Sequence, residues 1–313
     1  MVVGVDIGGT KLAAGLVGRE PRPLAVLRCP TPQGARALID ALAGIVGRLA
    51  ACAPEPVVAV GVGVPSLIDH VSRRVLMSVN ADLADVDVVA LLEERLGLPV
   101  AIDNDANLAA LAEQRAGAAR GLAHVVLLTI GTGIGGGVII DGQPFRGSRG
   151  SGAELGHVVV QADGPPCQGR CPSRGCLETM ASGTAIARDA RALAERRPQG
   201  ALAAAARREG GQLRAPALMA LARAGEPEAL EVVERAARHL GAGLASLANV
   251  FNPEALVVGG GVGEAGEVLL RPAREEYRRR ALPPNAAAPV LQAGFGNEAG
   301  IVGAALLARE RAG

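Results

Sequence analysis

The pattern of apolar and polar positions along the chain predicts strands and helices in alternation. Short apolar runs that end at glycine, proline or acidic residues are typical of buried strands, and apolar residues three or four positions apart are typical of helices. The strands that we predict on this basis cover residues 2–5, 12–17, 56–64, 100–102, 125–130, 138–140, 255–258 and 289–291. The predicted helices cover residues 35–51, 88–96 and 106–116, a segment from 181 to about 249 with breaks at Pro198, Gly210 and Gly225, a segment after Gly261, and the end of the chain from 298.

A weak internal repeat links the two halves of this pattern. Residues 2–10 and 125–133 each form an apolar strand pattern that runs into a glycine turn, and helix and strand units follow both. A chain of 313 residues is long enough for two cores. We therefore predict a duplicated α/β fold with two domains around a central cleft. The N-terminal domain is expected over residues 1–115, with 299–313 packing back on it, and a larger C-terminal domain over 116–298.

Composition and charge exclude several classes of protein. The formal net charge is +1, so no overall field attracts nucleic acid or an acidic membrane. The first apolar run contains Asp6, and the other runs fall short of the ~20 residues that a spanning helix needs, so we expect a soluble cytoplasmic protein. The chain has no Trp, and a sugar ligand would therefore be held by hydrogen bonds rather than by stacking on Trp. Cys29 and Cys52 are expected in the core.

Three cysteines and one histidine occur within a short segment that the carboxylates of Glu154 and Glu178 bracket. Thiolates and imidazole are ligands that zinc prefers, and four of them complete a tetrahedral structural site. The alternative is a disulfide between two of the cysteines, which would leave one thiol and the histidine without a role. Closely spaced Cys and His without a secretory context favour a metal, so we predict structural zinc. Its ligands would be His157, Cys167, Cys171 and Cys176.

Three glycine-rich segments compete as nucleotide-binding sequences. Residues 4–11 nearly match a P-loop, but Lys11 lies one residue too late and a strand follows where a P-loop needs a helix. Residues 131–136 match the dinucleotide fingerprint formally and also run into a strand. Residues 261–266 follow a strand and precede a helix, yet ordinary turn glycines explain a single match of this kind equally well. NAD binding is therefore the weaker alternative.

The glycines favour a phosphate-binding site that is formed by hairpin turns. Glycine has no Cβ, so its backbone N–H groups can approach phosphate oxygens closely. Asp6 lies at the tip of the first hairpin, where a carboxylate can hold Mg²⁺ through water. Lys11 is the only lysine of the chain, and its compact ammonium group suits a phosphate. The alternative is that these glycines only form tight turns.

The triplet Asp103-Asn104-Asp105 ends a predicted strand and opens a predicted helix. Ligand groups converge at such strand ends in α/β folds. Taken alone, the triplet predicts that an aspartate is the N-cap of the helix, the commonest role of Asp at that position. With Asn104 beside it and Asp6 in the same half, one aspartate can cap the helix while another accepts a proton from a substrate hydroxyl.

Taken together, these segments resemble the ROK family of bacterial sugar kinases and related repressors, which have the actin-like, hexokinase-type ATPase fold with its ribonuclease H-like domains. The resemblance covers nearly the whole chain, and the matching motifs occur in the expected order at 6–11, 104–107, 131–136, 154–157, 175–178 and 181–183. One departure concerns the cysteines, because family members commonly have one residue where this chain has three between Cys167 and Cys171. Gly169 can absorb the two extra residues, so Cys167 is retained as a ligand.

The resemblance implies a role for each site residue. The phosphate-1 turn would comprise Asp6, Gly8, Gly9, Thr10 and Lys11. The phosphate-2 loop would comprise Gly131, Thr132, Gly133 and Gly135, and the adenosine contact Gly259, Gly260 and Gly261. Asp105 would be the catalytic base, and the sugar ligands would be Asn104, Asp105, Glu154, His157 and Glu178, with His157 also bound to zinc.

The expected activity is an ATP-dependent transfer of phosphate to the 6-hydroxyl of a hexose, with Mg²⁺ as a cofactor and glucose as the first candidate substrate. N-acetylmannosamine, N-acetylglucosamine, mannose and fructose are the alternative substrates. A sugar-sensing repressor is a further alternative, which we disfavour because the phosphate turn begins at residue 6, where a DNA-binding module would have to precede it. We expect no nucleic acid or membrane partner, and the resemblance implies a homodimer or homotetramer.

Overall fold

The computed structural model describes residues 1–69, 74–78, 87–169 and 171–312. The chain divides into two compact units. Unit 1 comprises Met1–Gly121, Gly137–Ala153 and Asn297–Gly313, and unit 2 comprises Leu122–Gly136 and Glu154–Gly296. Residues 137–153 thus belong to unit 1, whereas the sequence prediction assigned them to the C-terminal domain.

The strands and helices alternate along much of the chain. The strands are β1 (Val2–Ile7), β2 (Lys11–Val17), β3 (Pro23–Pro30), β4 (Ala59–Val64), β5 (Ser66–Asp69), β6 (Arg74–Ser78), β7 (Val100–Asn104), β8 (Val125–Ile130), β9 (Ile134–Ile140), β10 (Gln143–Pro144), β11 (Ala255–Gly259) and β12 (Val290–Gln292). The helices are α1 (Ala35–Ala51), α2 (Val88–Leu96), α3 (Asp105–Ala116), α4 (Leu177–Ala181), α5 (Gly183–Arg196), α6 (Ala201–Arg208), α7 (Ala215–Arg223), α8 (Pro227–Phe251), α9 (Gly260–Gly263), α10 (Glu267–Arg280) and α11 (Ala299–Ala312).

Two five-stranded sheets have the same strand order. The first runs β3–β2–β1–β4–β7 and the second β10–β9–β8–β11–β12. In the first, β1 pairs antiparallel with β2 and parallel with β4, and β7 continues the parallel side. In the second, β8 pairs parallel with β11, and β11 pairs parallel with β12. This correspondence confirms the duplicated α/β fold that the weak repeat predicted.

Glycines bring α11 into direct contact with the first sheet. A Cβ on Gly4 would lie 2.0 Å from the carbonyl oxygen of Ile301, and one on Gly61 would lie 1.8 Å from that of Ala304. Side chains alternate between the faces of a strand, so Asp6 shares the face of Gly4 on β1. The helix that these glycines admit is buried along most of its length, and its first turn lies beside Asp6.

The predicted helices and apolar strands agree with the structure to within a few residues, and the long helical segment is indeed interrupted near Pro198, Gly210 and Gly225. Strands β3, β5, β6 and β10 were not predicted. One cysteine expectation is wrong, because Cys52 is exposed, whereas Cys29 packs against the core. Among the described residues, no helix combines the length and apolarity needed to cross a membrane.

Candidate active site

The turn between β1 and β2 is a tight hairpin. Gly8 donates its backbone N–H to the carbonyl oxygen of Lys11 at 2.9 Å, and the Thr31 hydroxyl donates to the carbonyl oxygen of Gly8 at 2.7 Å. Gly9, Thr10 and Lys11 are exposed at its tip. The turn therefore offers backbone N–H groups and one ammonium group to solvent, as an anion-binding turn requires.

Asp6 lies at the base of this turn, against the first turn of α11. A Cβ on Gly300 would lie 2.7 Å from the carboxyl carbon of Asp6, so a larger residue there would have to displace this carboxyl group. Burial raises the pKa of Asp6 to about 6. An ionised carboxylate that burial disfavours is a group whose charge a bound cation would stabilise, and its oxygens are of the type that Mg²⁺ prefers. The position is therefore compatible with the predicted magnesium ion held through water.

Asn104, and not an aspartate, is the N-cap of α3. Its Oδ1 accepts from the backbone N–H of Ala106 at 2.9 Å and of Asn107 at 3.2 Å, and its Nδ2 donates to the carbonyl oxygen of Ser66 at 3.4 Å. The expectation that an aspartate of this triplet caps the helix is therefore wrong. Asp105 is the first residue of the helix, where one carboxylate oxygen accepts from Ala106 N–H at 2.9 Å. The cap consequently does not depend on Asp105.

Glu154, His157 and Glu178 are brought together in unit 2. The His157 Nε2 atom lies 4.0 Å from Oε2 of Glu154. Burial raises the pKa of Glu154, the His157 ring lowers it, and the Glu178 carboxylate raises it again. Two carboxylates and an imidazole at such range form a polar surface with acceptors for several hydroxyl groups.

Glu178 also contacts the loop that follows β8. Its Oε2 accepts from the backbone N–H of Ile134 at 2.9 Å, and a Cβ on Gly133 would lie 2.2 Å from the same oxygen. The predicted sugar ligand Glu178 therefore borders the predicted phosphate-2 loop. Gly133 must lack a side chain for the carboxylate to reach this position.

The phosphate-2 loop is held by residues for which sequence reasoning assigned no role. Gly183 donates its N–H to the carbonyl oxygen of Gly131 at 2.8 Å, and the Thr184 hydroxyl donates to that of Thr132 at 2.8 Å. Both donors belong to the first turn of α5, whose N-cap is Ser182. The segment 181–183 is part of the family pattern, and that is the only signal in the sequence that points to this contact.

The predicted adenosine contact adjoins the same loop. Gly260 has a φ of 80°, and a Cβ there would lie 2.6 Å from the backbone nitrogen of Ile130. Gly261 has open space around it. Unit 2 therefore gathers residues 130–133, 183–184 and 259–261 into one glycine-lined region.

The four predicted zinc ligands form one cluster. The possible ligand atoms of His157, Cys167, Cys171 and Cys176 all lie within 4.8 Å of one another. Nδ1 of His157 is 3.4 Å from Sγ of Cys167, and the Sγ atoms of Cys171 and Cys176 are 4.0 Å apart. All five cysteines are free, so the disulfide alternative is wrong. Three sulfurs and one nitrogen at these separations match the donor set of a tetrahedral zinc site.

Local backbone geometry explains why the longer cysteine spacing still closes. Gly169 has a φ of 63°, in the left-handed region that favours glycine. Gly175 has a φ of 62°, and a Cβ there would lie 1.6 Å from the carbonyl oxygen of Gln161. Burial and the neighbouring thiols of Cys176 and Cys171 raise the pKa of Cys167 to about 12. A divalent cation would reverse this effect, because it stabilises thiolates.

The predicted site residues are divided between the two units. Unit 1 holds the phosphate-1 turn with Asp6, together with Asn104 and Asp105. Unit 2 holds the phosphate-2 loop and the adenosine contact, the polar surface of Glu154, His157 and Glu178, and the cysteines.

Comparison with known proteins gives consistent matches over the whole chain. The sequence profile of the ROK family matches residues 2–311. A glucokinase of Streptomyces coelicolor is 40% identical over 314 residues, which cover 99% of this chain and 98% of the relative. An N-acetylmannosamine kinase of Shigella flexneri is 33% identical over 311 residues, 98% of each chain. A crystal structure of a ROK family glucokinase from Streptomyces griseus in complex with glucose and AMPPNP matches with a TM-score of 0.88 at 41% identity, and the match covers 99% of both chains.

Proposed function

The chain belongs to the ROK family, and on that premise we propose that it transfers the γ-phosphoryl group of ATP to the 6-hydroxyl of glucose. Glucokinases at 40 and 37% identity over nearly the full chain support this substrate pair. Phosphoryl transfer requires positioned groups and charge neutralisation more than covalent chemistry, and the groups of both units suit those tasks.

The position of Asp105 is the observation that carries the proposal. Asn104 supplies the N-cap of α3, so the Asp105 carboxylate is not needed to satisfy the helix terminus. It lies at the carboxyl end of β7, where α/β folds present catalytic groups. In our proposal Asp105 orients the sugar 6-hydroxyl and accepts its proton as the hydroxyl oxygen attacks the γ-phosphorus. The bond between the γ-phosphorus and the β–γ bridging oxygen breaks, and ADP leaves with that oxygen.

Backbone groups and one metal ion would hold the nucleotide. The hairpin at Gly8 and Gly9, with Lys11 at its end, would bind phosphate oxygens. The loop at Gly131, Thr132, Gly133 and Gly135 would also bind phosphate oxygens, and Gly259, Gly260 and Gly261 would contact the adenosine. Asp6 would hold Mg²⁺, which neutralises phosphate charge when bound.

The polar surface of unit 2 would select the sugar. Glu154, His157 and Glu178 would accept or donate hydrogen bonds to its ring hydroxyls, in addition to the contacts from Asn104 and Asp105. Zinc on His157, Cys167, Cys171 and Cys176 would fix the His157 ring through Nδ1, which leaves Nε2 on the side of Glu154. When one ring nitrogen of a histidine binds a metal, the ring orientation is fixed and the other nitrogen can make a well-defined hydrogen bond.

A hexose panel tests the reaction and the substrate together. ADP release would be measured with glucose, mannose, fructose, N-acetylglucosamine and N-acetylmannosamine at saturating MgATP. We expect the highest kcat/KM for glucose. A higher value for N-acetylmannosamine would favour the second activity found among the relatives, and no ADP release with any hexose would refute a hexose kinase. The expected homodimer or homotetramer stays a prediction, which light scattering would test.

Asp105→Asn tests the catalytic base. Asn has the same shape but cannot accept a proton, so kcat should fall by ~10²–10⁴ while the melting temperature stays near the wild-type value. Asp87→Asn is the matched control, because Asp87 is a true N-cap that accepts from the N–H of Ala90 at 2.9 Å. Asn caps about as well as Asp, so that variant should be silent. Wild-type kcat in Asp105→Asn would remove the base from the mechanism.

A further inference from the structure

Asp103 is a fully buried carboxylate next to the site, with an exposed fraction of 0%. Its Oδ2 accepts from Nε of Arg146 at 2.8 Å, and Nη2 of the same guanidinium lies 2.6 Å away. Its Oδ1 accepts from the backbone N–H of Asn104 at 2.7 Å and from Nδ2 of Asn107 at 3.1 Å. The roles proposed above for the site residues do not involve Asp103 or Arg146.

The partners of Asp103 lie on both sides of Asp105. Asn104 precedes Asp105 and caps α3, and Asn107 is in the first turn of that helix. Oδ1 of Asn107 has no hydrogen-bond partner among the described residues, so the bond to Asp103 is what orients this amide. Asp103 therefore fixes the junction of β7 and α3 at the point from which Asp105 projects.

Arg146 is the cation that makes this arrangement possible. An unpaired buried carboxylate costs several kcal/mol, and a guanidinium with two N–H groups near one oxygen offsets much of that cost. Arg146 follows β10, and its own carbonyl oxygen accepts from Gly152 N–H at 2.9 Å, which closes the loop that leads to Ala153 and on to Glu154. The Arg146 side chain thus joins the base of this loop to the end of β7, which Asp105 directly follows.

We propose that Arg146, acting through Asp103, is a positioning residue that holds Asp105 in the orientation for removing the proton of the sugar hydroxyl. The inference rests on the proposed kinase function. A shift of about 1 Å in a reacting group can cost ~10²-fold in rate, so loss of the guanidinium should lower kcat by ~10–100-fold. The ATP KM should stay within about twofold of wild type, because neither Asp103 nor Arg146 is among the residues proposed to bind the nucleotide.

The test compares Arg146→Met with Arg149→Met. Arg149 is in the same loop and is exposed, and no side-chain hydrogen bond or ion pair is found for it among the described residues. We expect Arg149→Met to keep wild-type kcat and both KM values. Arg146→Met should show the loss of kcat. Wild-type kcat in Arg146→Met would overturn the proposal.

A double-mutant cycle separates positioning from a purely structural role. If Arg146 acts through Asp105, adding Arg146→Met to Asp105→Asn should lower kcat by less than about twofold more, since the group being positioned is already absent. If the loss of kcat in the double variant equals the product of the losses in the two single variants, the coupling between Arg146 and Asp105 is refuted. If Arg146→Met does not fold, Arg146→Lys decides by the same cycle, because it keeps the charge but not the two-pronged contact.

Failure of this inference and failure of the proposed function are distinguishable. If the wild-type protein phosphorylates no hexose, the proposed function fails before any variant is compared. If the wild type is active and Arg146→Met is equally active, the kinase function stands and the positioning role is wrong.

Discussion

At the scale of single residues, Asp6 combines an unfavourable charge with a proposed functional role. Its pKa is raised to about 6 by burial, so the folded protein binds a proton there more tightly than the unfolded chain does. Where the folded state binds more protons, the free energy of unfolding falls as the pH rises. The loss of stability that comes from ionising Asp6 therefore begins above the ordinary pKa of an aspartate and is complete once the pH has passed about 6.

Asp6→Asn should accordingly stabilise the metal-free protein while removing its activity. One pKa unit corresponds to ~1.4 kcal/mol, so the gain is at most about 3 kcal/mol, and partial exposure of Asp6 reduces it. The gain should increase between about pH 4 and 6 and change little above that range. Urea unfolding of both proteins at several pH values, with EDTA present, measures this difference. A gain that does not change with pH would show that Asp6 titrates normally.

The chemistry of the site residues could be predicted from the sequence, but not all of their contacts. The motif at 104–105 predicts both a helix N-cap and a catalytic base. Which residue has which role depends on the residue at which α3 begins. Arg146 and Asp103 are far apart in the sequence, and no spacing or periodicity relates them. Such a pair becomes visible only in the folded chain, where the Arg146 guanidinium contacts the Asp103 carboxylate.

At the scale of secondary-structure elements, the contact between α11 and the first sheet depends on glycine. A Cβ on Gly61 would lie 1.8 Å from the carbonyl oxygen of Ala304, so Gly61→Ala must displace β4 or α11. We expect a loss of about 1–3 kcal/mol or more in the free energy of unfolding, as for other overpacked sites. Because α11 also contacts β1, activity should fall as well.

Gly47→Ala is the matched control for this substitution. Gly47 lies inside α1 and is exposed, and a Cβ added there would have open space on every side to a distance of 4 Å. Alanine is the better helix former, so this change should stabilise the protein by up to about 1 kcal/mol. Chemical unfolding of both variants measures the contrast. Equal stabilities would mean that α11 does not lie as close to the sheet as Gly61 indicates.

Elements with a continuous apolar pattern were predictable, and edge elements were not. The strand Ala59–Val64 is buried at every position, which makes its pattern unambiguous. Strand β3 lies at the edge of the first sheet, begins and ends with proline, and has no position that is fully buried. Strand β3 is identified by its pairing with β2. Such pairing produces no clear apolar pattern in the sequence of a half-exposed edge strand.

At the scale of the whole molecule, duplication explains why glycine turns recur in the proposed nucleotide site. The β1–β2 turn and the β8–β9 turn occupy equivalent positions in two sheets of the same strand order. Each presents backbone N–H groups after a buried strand. Within the part of the chain that the structure describes, the zinc loop has no counterpart of this kind, and its cysteine cluster lies within residues 157–176 of unit 2.

The zinc site is expected to link stability and sugar binding through His157. Cys171→Ser removes one ligand without altering Cys176, which immediately precedes α4 and Glu178. Zinc content should fall from about one ion per chain to near zero, and the free energy of unfolding should drop by several kcal/mol. Glucose affinity should weaken because Nδ1 of His157 is no longer held by the metal.

Cys52→Ser is the control, since Cys52 is exposed and outside the cluster, and it should leave all three quantities unchanged. Elemental analysis, chemical unfolding and glucose calorimetry supply the measurements. Metal-free wild-type protein whose five thiols all titrate readily, and whose glucose affinity equals that of Cys171→Ser, would rule out the zinc site.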